Sequence, residues 1–268
     1  MPELPEVETV LRTLGGRIAG RKILEVSVLY PKLIEGDPEE FCRKLTGQTF
    51  RRFCRRGKYL FFGMDEFWFV SHLRMEGKYY LQKPEEPLIK HTHAVFLLDD
   101  GMTLRYNDVR KFGRMRLYPY DTDLDSFHDL GPEPLEDTFN AEYVSSRLKE
   151  RREPIKTVLL DQHFAAGIGN IYADEILAGC RVLPMRRACE LSEDEIVLLV
   201  SETKRILAEA IKAGGTTIRS YTSSLGVTGL FQLSCTVHAQ KKCGRCCGEV
   251  SVRRIGGRSS YYCPQCQS

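Results

Sequence analysis

Apolar residues recur near the N-terminus at the spacing of one helix face. The positions follow i, i+3, i+4, i+7 and i+11: Val7, Val10, Leu11, Leu14 and Ile18. Pro5 suits the first turn of such a helix, and Gly20 is a residue at which the helix can end. The pattern therefore predicts an amphipathic N-terminal helix that buries one face.

From Lys22 to Pro119 the pattern changes to short β-branched and aromatic runs separated by turn residues. These runs are predicted to be strands: Ile23–Leu29, Thr49–Cys54, Tyr59–Met64, Trp68–His72, Lys78–Leu81, Ala94–Leu98, Thr103–Tyr106 and Arg114–Tyr118. The turn Asp99-Asp100-Gly101 between two of them indicates antiparallel pairing. We therefore expect a β-sandwich that packs with the first helix.

A helical period begins at Phe139. The predicted helices are one marked by Tyr143, Val144 and Leu148, a second over Ile155–Phe164, a third over Ile171–Ala178, and a long fourth from Ser192. Ser192 and Glu195 have capping-box spacing, and Gly214-Gly215 ends the fourth helix. The break Ala166–Asn170 makes the second and third helices a helix-turn-helix-like unit, whose amides and Asn170 could hold a phosphate. A simple helical hairpin is the alternative.

Changes of composition divide the chain into an α+β arrangement. Between Asp121 and Glu142 there are eight acidic residues and no Lys or Arg, which predicts a linker over 121–137 that avoids phosphate. We expect an N-terminal β-sandwich domain over 1–120, a helical domain over 138–235 and a cysteine-rich module over 236–268. Within the helical domain, the Thr-, Ser- and Gly-rich segment 216–232 is long enough to be a functional loop.

The overall composition favours a globular, cytosolic protein. The chain has 268 residues, 42% hydrophobic and 28% charged, without an apolar run of membrane-spanning length or the apolar core of a signal peptide. Its net charge of +3 is too small to identify a nucleic-acid partner. Ten cysteines, four of them in two Cys-x-x-Cys pairs, indicate a metal before disulfides.

The two cysteine pairs predict a zinc ribbon. Cys243 and Cys246 are separated from Cys263 and Cys266 by sixteen residues, a spacing typical of four thiolates around one structural Zn²⁺. Cys247 is a competing ligand. From Lys241 onward there are six Lys or Arg residues and one Glu, so a zinc-held hairpin with a Gly256-Gly257-Arg258 turn could bind phosphate. A purely structural zinc module is the alternative.

The first residues form a candidate nucleophilic site. Removal of Met1 would leave Pro2 with a free secondary amine, and α-amino groups titrate near roughly 8, so a useful fraction is unprotonated at neutral pH. Such an amine can attack a carbon and form an imine. Glu3 and Glu6 lie in the first turn and could move protons beside it. An ordinary helix start with acidic residues is the alternative.

Three polar loops carry further candidate residues. Arg55-Arg56-Gly57-Lys58 occupies a predicted turn between strands, where the cluster could meet phosphate or lie in solvent. The loops around Met75 and Phe112 each place a large apolar residue among charged ones. Packing in a core is the default for such residues. Apolar wedges beside cations are also what proteins insert between base pairs when they extrude a nucleotide.

Taken together, these segments resemble bacterial formamidopyrimidine-DNA glycosylases from end to end. The matching motifs, in chain order, are Pro2-Glu3-Leu4-Pro5-Glu6-Val7-Glu8-Thr9, Arg56-Gly57-Lys58, Ser71-His72-Leu73-Arg74-Met75-Glu76-Gly77, Asp108-Val109-Arg110-Lys111-Phe112-Gly113, Gly167-Ile168-Gly169-Asn170-Ile171-Tyr172 and the four-cysteine tail. Endonuclease VIII shares this architecture, but its N-terminus resembles Pro-Glu-Gly-Pro-Glu. Leu4 here favours the formamidopyrimidine branch.

The resemblance implies a monomeric base-excision-repair enzyme that removes 8-oxoguanine and formamidopyrimidines from duplex DNA and cleaves the strand by β,δ-elimination. Pro2 would form the Schiff base, Glu3 would assist sugar-ring opening, and Lys58 would bind the adjacent phosphate. The other implied DNA contacts are His72, His93, Arg110, Asn170 and Arg258. Met75, Arg110 and Phe112 would fill the gap, segment 216–232 would close over the damaged base, and one structural Zn²⁺ would be bound.

The chain departs from the family pattern before the zinc ribbon, where Val237-His238-Ala239-Gln240 replaces the usual Val-Tyr-Gly-Arg and the approach to Cys243 is about two residues shorter. We expect this departure to affect either a phosphate contact or the way the zinc module packs on the rest of the protein. Two other functions remain as alternatives: an endonuclease VIII-like enzyme for oxidised pyrimidines, and a catalytically silent zinc protein that recognises distorted duplex. The presence of Pro2, Glu3 and Lys58 argues against the silent protein.

Overall fold

The computed structural model describes residues 1–216 and 229–268. The chain forms two compact units. The N-terminal unit comprises Met1–Pro2, Glu6–Leu124 and, of the later residues described, Thr216 and Gly229. The C-terminal unit comprises Glu3–Pro5, Asp125–Gly215 and Leu230–Ser268. The first residues of the chain are therefore divided between the two units. The sequence prediction assigned consecutive ranges to the domains and did not include this division.

The N-terminal unit is the predicted β-sandwich. Its strands are β1 Ile23–Val28, β2 Arg52–Arg56, β3 Tyr59–Gly63, β4 Phe67–His72, β5 Lys78–Gln82, β6 Thr92–Leu98, β7 Thr103–Asn107 and β8 Arg114–Pro119. They form two antiparallel sheets, with the orders β1-β6-β7-β5 and β2-β3-β4-β8. Each predicted strand is present, with ends displaced by up to a few residues.

The helix α1, Leu4–Ile18, supplies the apolar stripe that its spacing predicts. Val7, Val10 and Leu14 are buried in the core of the N-terminal unit, together with aromatic residues of both sheets. The structure adds a helix that the sequence reasoning missed, α2 over Pro38–Leu45. Its start signal was present, because the Asp37 side chain caps the helix by accepting from the Glu39 amide at 2.9 Å.

The C-terminal unit contains the predicted helices and a zinc-finger-like hairpin. The helices are α3 Ala141–Leu148, α4 Ile155–Leu160, α5 Asn170–Cys180 and α6 Glu193–Lys212, and the hairpin strands are β9 Ser251–Ile255 and β10 Arg258–Tyr262. The capping box at Ser192 is confirmed. No helix among residues 1–216 and 229–268 is long and apolar enough to cross a membrane.

One helix boundary was wrong. Helix α4 ends at Leu160, whereas the apolar pattern extended the prediction to Phe164. The Asp161 side chain accepts from the His163 amide at 3.0 Å, and this local turn competes with further helix. Phe164 is nevertheless fully buried, so the apolar pattern correctly predicted burial but not the backbone conformation.

Candidate active site and metal centre

Glu3 lies against the start of helix α5 in the C-terminal unit. Its carboxylate accepts from the amides of Ile171 at 3.1 Å and Tyr172 at 3.4 Å, and the side chain is only 4% exposed. A Cβ on Gly169 would overlap this carboxylate, so glycine is required where the chain passes it. Helix N-termini present amide donors to anions, which explains how a buried carboxylate is held here.

The turn before α5 brings further predicted residues together. Gly167 adopts a φ of 92°, and a side chain there would press into Leu4. Asn170 begins α5, and its Nδ2 donates to the Ser259 carbonyl at 3.0 Å, next to Arg258. The Oδ1 atom of Asn170 is buried and has no hydrogen-bond partner within the described part of the chain. Glu3, Asn170 and the Arg258 hairpin therefore meet at one end of α5.

A buried charged network, which the sequence reasoning missed, lies beneath this end of the C-terminal unit. The Lys156 ammonium contacts Asp174 Oδ1 at 2.7 Å and donates to the Ser259 carbonyl at 3.0 Å, while His238 Nδ1 lies 2.7 Å from Asp174 Oδ2. Burial lowers the pKa of Lys156, and the Asp174 charge opposes that shift. The sequence signal was an Asp-Glu pair within the otherwise apolar helix α5.

Glu175, the neighbour of Asp174, holds the chain that leads into the cysteine module. Its carboxylate accepts from the amides of Thr236 at 2.6 Å, Val237 at 2.9 Å and His238 at 2.7 Å. The segment Thr236–His238 is therefore anchored to α5 through both backbone and side chain. The His238 ring has a definite partner in Asp174.

In the N-terminal unit, Pro2 is buried and Glu6 is 3% exposed. The Glu6 carboxylate accepts from the Thr216 amide at 2.7 Å and from its hydroxyl at 3.1 Å. Glu6, predicted to move protons, thus contacts the first residue of the predicted functional loop 216–232. Residues 217–228 of that loop lie outside the described residues.

The basic turn around Lys58 is not a solvated cluster. Arg56 and Lys58 are 8% and 7% exposed, and Arg56 Nε donates to the Leu124 carbonyl at 3.1 Å. Arg55 Nε contacts the Glu8 carboxylate at 2.9 Å. Burial raises the pKa of Glu8, but hydrogen bonds and charge from Arg12 and Arg55 outweigh burial and leave it below its usual value. The two-residue turn Gly57-Lys58 is therefore firmly supported.

His72 ends strand β4 and is 8% exposed. Its Nδ1 accepts from the Arg74 amide at 2.9 Å, which places the proton of the neutral ring on Nε2, and its ring meets Tyr59 edge-on with centroids 4.5 Å apart. Arg74 has a positive φ of 51°, and the half-buried Met75 follows it. A hydrogen bond, a ring contact and a left-handed backbone conformation therefore define the start of this loop.

The second predicted wedge loop, residues 108–113, exposes its large side chains. Phe112 is 48% exposed, and the Arg110 guanidinium lies 4.8 Å from its ring centroid. His93, a predicted DNA contact, is 5% exposed and its Nε2 lies 2.8 Å from the Asp108 carbonyl. A half-exposed phenylalanine beneath an arginine is not an ordinary core residue, which favours the wedge interpretation.

The four predicted metal ligands lie together. The Sγ atoms of Cys243, Cys246, Cys263 and Cys266 all lie within 4.8 Å of one another, and Cys247 is not part of the group. Two amides point at sulfur: Arg245 donates to Cys243 and Gly248 to Cys246, both at 3.4 Å. Four sulfurs supported by amide donors suit a tetrahedral site without an open position.

The hairpin that follows presents Arg258 as predicted. Strands β9 and β10 pair from Ile255 opposite Arg258, and Gly256 and Gly257 have φ values of 54° and 77°. Two consecutive residues with positive φ define a tight primed turn that glycine favours. Arg258 is exposed at its end. Hairpin and cysteine cluster therefore form one small module.

Comparisons with known proteins agree with this architecture. Residues 1–115 match the family model of the formamidopyrimidine-DNA glycosylase N-terminal domain, and residues 130–222 match that of the formamidopyrimidine-DNA glycosylase H2TH domain. The formamidopyrimidine-DNA glycosylases of Bacillus licheniformis and Bacillus subtilis are each 46% identical to this chain, covering 100% of it and 99% of the relative.

Among solved structures, a complex of a Lactococcus lactis Fpg variant with Fapy-dG-containing DNA has a TM-score of 0.95 at 40% identity, covering 100% of both chains. A Lactococcus lactis Fpg complex with abasic-site DNA gives 0.94 at 41% identity, covering 99% of both. The chain therefore belongs to the formamidopyrimidine-DNA glycosylase family. This confirms the predicted fold class and the expectation that the chain is a DNA-repair glycosylase.

Proposed function

We propose that this enzyme removes oxidised purines, 8-oxoguanine and formamidopyrimidines, from duplex DNA and then cleaves the strand by β,δ-elimination. The observation that supports this most is the Pro2-Glu3 pair, in which the Glu3 carboxylate is buried and held by the amides of Ile171 and Tyr172. A solved relative contains Fapy-dG DNA and another contains abasic-site DNA, which are the substrates of the two successive steps.

Pro2 is the proposed nucleophile. After removal of Met1, its unprotonated secondary amine attacks C1′ of the extruded nucleotide, and the damaged base leaves with the electrons of the glycosidic bond and takes up a proton. Opening of the sugar ring then gives an iminium ion between Pro2 and C1′. Glu3 supplies a proton to the ring oxygen and can accept one back. A carboxylate beside the reacting atoms can play both parts of general acid–base catalysis.

The iminium ion makes strand cleavage possible, because it acidifies the adjacent C2′ protons. Loss of such a proton expels the 3′ phosphate in β-elimination, and a further elimination expels the 5′ phosphate. Hydrolysis of the imine returns the Pro2 amine. Lys58, largely buried at a well-supported turn, is proposed to bind the phosphate beside the lesion as a fixed cation.

The remaining predicted residues are assigned to DNA binding. His72, His93, Asn170 and Arg258 are proposed to position the phosphate backbone, and Met75, Arg110 and Phe112 to occupy the space left by the extruded nucleotide. One Zn²⁺ held by Cys243, Cys246, Cys263 and Cys266 would order the hairpin that presents Arg258. When bound, the ion supplies folding free energy and no reaction chemistry, since four protein ligands fill its coordination shell.

Borohydride trapping tests the central assignment. Reduction of the imine on an 8-oxoguanine duplex should link protein to DNA, and mass spectrometry should place the adduct on the N-terminal proline. A version with an N-terminal extension is the matched control, because its Pro2 nitrogen is locked in a peptide bond and trapping should disappear. An adduct on Lys58 would overturn the assignment.

Oxidised pyrimidines are the second candidate substrate class. This candidate is favoured by a Lactococcus lactis Fpg complex with an oxidized-pyrimidine-containing DNA, which has a TM-score of 0.93 and 40% identity to this chain. Single-turnover excision from matched duplexes, each carrying one oxidised purine or one oxidised pyrimidine, separates the two. Faster excision of the pyrimidine would assign the enzyme to the endonuclease VIII-like function.

A further inference from the structure

The 108–113 loop of the N-terminal unit is organised by one carboxylate, that of Asp108. The residue is completely buried, although the next two residues, Val109 and Arg110, are exposed. Its Oδ1 accepts from the Arg110 amide at 3.0 Å, and its Oδ2 accepts from the amides of Phe112 at 2.9 Å and Gly113 at 2.8 Å. Three backbone donors of the loop therefore converge on one side chain.

The backbone of Asp108 is fixed as well. Its N–H donates to the His91 carbonyl at 3.1 Å, and its own carbonyl accepts from the Lys111 amide at 3.2 Å and from His93 Nε2 at 2.8 Å. Lys111 has a positive φ of 58°, a conformation that a lysine adopts only when its surroundings enforce it. Asp108 is thus attached to the sandwich on one side and to the loop on the other.

Tyr106 connects this loop to the Met75 loop. It is a fully buried residue of strand β7, and its hydroxyl lies where a Cβ on either Gly77 or Gly113 would overlap it. Gly77 ends the Met75 loop, where its amide donates to the Leu73 carbonyl at 2.9 Å, and Gly113 ends the 108–113 loop. Both glycines are required because both loops close onto one tyrosine ring.

We propose that Asp108 is a positioning residue that sets opposite-base specificity, by holding the 108–113 loop in the conformation that presents Arg110 and Phe112. The inference rests on the proposed function, in which Arg110 faces the orphaned base and Phe112 fills the gap. A loop ordered in advance binds without the entropic cost of ordering, and its donors reach base edges in one geometry. Asp108 itself is buried and touches no base.

The test uses the full-length zinc-loaded enzyme and two duplexes, with 8-oxoguanine opposite cytosine or adenine. Arg110 can donate to the acceptors on the pairing edge of cytosine, so wild type should prefer cytosine. Asp108→Asn places an NH₂ group among amide donors and should reduce the preference for cytosine by about tenfold, the discrimination of one good base contact. Strand cleavage at a preformed abasic site should change less.

A double-mutant comparison separates positioning from general destabilisation. Arg110→Ala removes the side chain that Asp108 is proposed to position, so Asp108→Asn in that background should produce no further loss of discrimination. Additive losses would overturn the proposal. Asp108→Ser, which keeps one acceptor in a smaller side chain, serves as the second variant if the asparagine enzyme does not fold, and the same non-additivity is expected.

Asp65→Asn is the matched control. Asp65 is also a carboxylate of the N-terminal unit that accepts from a backbone amide, that of Thr49 at 2.8 Å, and from Arg51 Nε at 2.7 Å. It precedes strand β4, whereas the 108–113 loop leads into Arg114, which pairs with His72 at the other end of that strand. The Asp65→Asn variant should have a lower melting temperature and an unchanged preference for cytosine over adenine. Wild type that fails to excise 8-oxoguanine from either duplex refutes the proposed function. Active wild type with unchanged discrimination in Asp108→Asn refutes only the role of Asp108.

Discussion

The 108–113 loop and the 251–262 hairpin are both short exposed cationic elements, but they are stabilised in different ways. The carboxylate that holds the loop acts on its neighbours in sequence, because Asp108 accepts from amides two to five residues away. The hairpin depends on distant residues: thiolates on both sides of it, and the Lys156–Asp174–His238 network below it. Local support limits loop motion, whereas distant support also requires the surrounding unit to fold.

This difference predicts how each element fails. Removing the local carboxylate should change what the loop recognises while most of the enzyme remains folded. Removing the distant support should detach the hairpin, because a 28-residue tail of this kind has little hydrophobic core of its own.

Loss of the metal should have the greatest consequence. Cys246→Ser removes one of the four clustered sulfurs, and structural zinc contributes about 10 to 16 kcal/mol to the folding of small zinc modules. We expect zinc content to fall and duplex affinity to drop, while the melting of the β-sandwich changes little. Metal analysis and DNA titration measure both quantities.

Cys247→Ser is the control for that variant, since Cys247 is exposed and lies outside the cluster. It should retain full zinc and normal affinity. Full zinc occupancy in Cys246→Ser would instead show that another residue completes the site, and the stated ligand set would be wrong.

The buried network should come second. Asp174→Asn leaves the Lys156 ammonium buried with its carboxylate partner removed, and breaking a buried ion pair typically costs about 3 to 5 kcal/mol. Asp161→Asn is the comparison in the same unit, because the Asp161–Arg151 pair at 2.9 Å is partly exposed and should contribute about 1 kcal/mol or less. Denaturant unfolding of both variants measures the difference. Equal losses would mean that burial of the network is unimportant.

The sequence predicted elements whose signal is local or periodic. Alternation located the strands of the sandwich, the Ser192–Glu195 spacing located the start of α6, and paired cysteines identified the metal cluster. Helix α2 was missed because its eight residues bury only Phe41 and Leu45, too few to establish a period. Helix α4 was extended too far because Asp161 ends the helix without ending the apolar pattern.

The candidate site divides in the same way. Motif residues such as Glu3, Lys58 and Arg110 could be named from the resemblance. Their supports could not, because an isolated lysine or aspartate is usually exposed, and only the fold brings Lys156 and Asp174 into contact. The role of Asp108 was hidden for a different reason: its motif was recognised, but the convergence of three amides on it is a property of the folded backbone.

The smallest predicted effect concerns the ion pair between Arg55, next to the β2–β3 turn, and Glu8 of helix α1. This pair is partly exposed, unlike the buried network of the C-terminal unit. Glu8 contacts Arg12 at 2.7 Å and Arg55 at 2.9 Å, and its pKa lies below the ordinary 4.5 despite burial. A carboxyl with a lowered folded-state pKa stabilises the fold above its unfolded pKa, and this contribution is lost as pH falls through the folded-state value.

Glu8→Gln should therefore reduce stability at neutral pH by about 1 kcal/mol, and wild type and variant should converge as the pH falls below about 4.5. Unfolding midpoints measured across that range check the sign, with Glu150→Gln, an exposed carboxyl of the other unit, as the control. A constant difference between Glu8→Gln and wild type at every pH would show that the glutamate acts by packing. Packing, and not charge, would then stabilise the turn that contains Lys58. The two units would differ further, because the buried network of the C-terminal unit depends on charge.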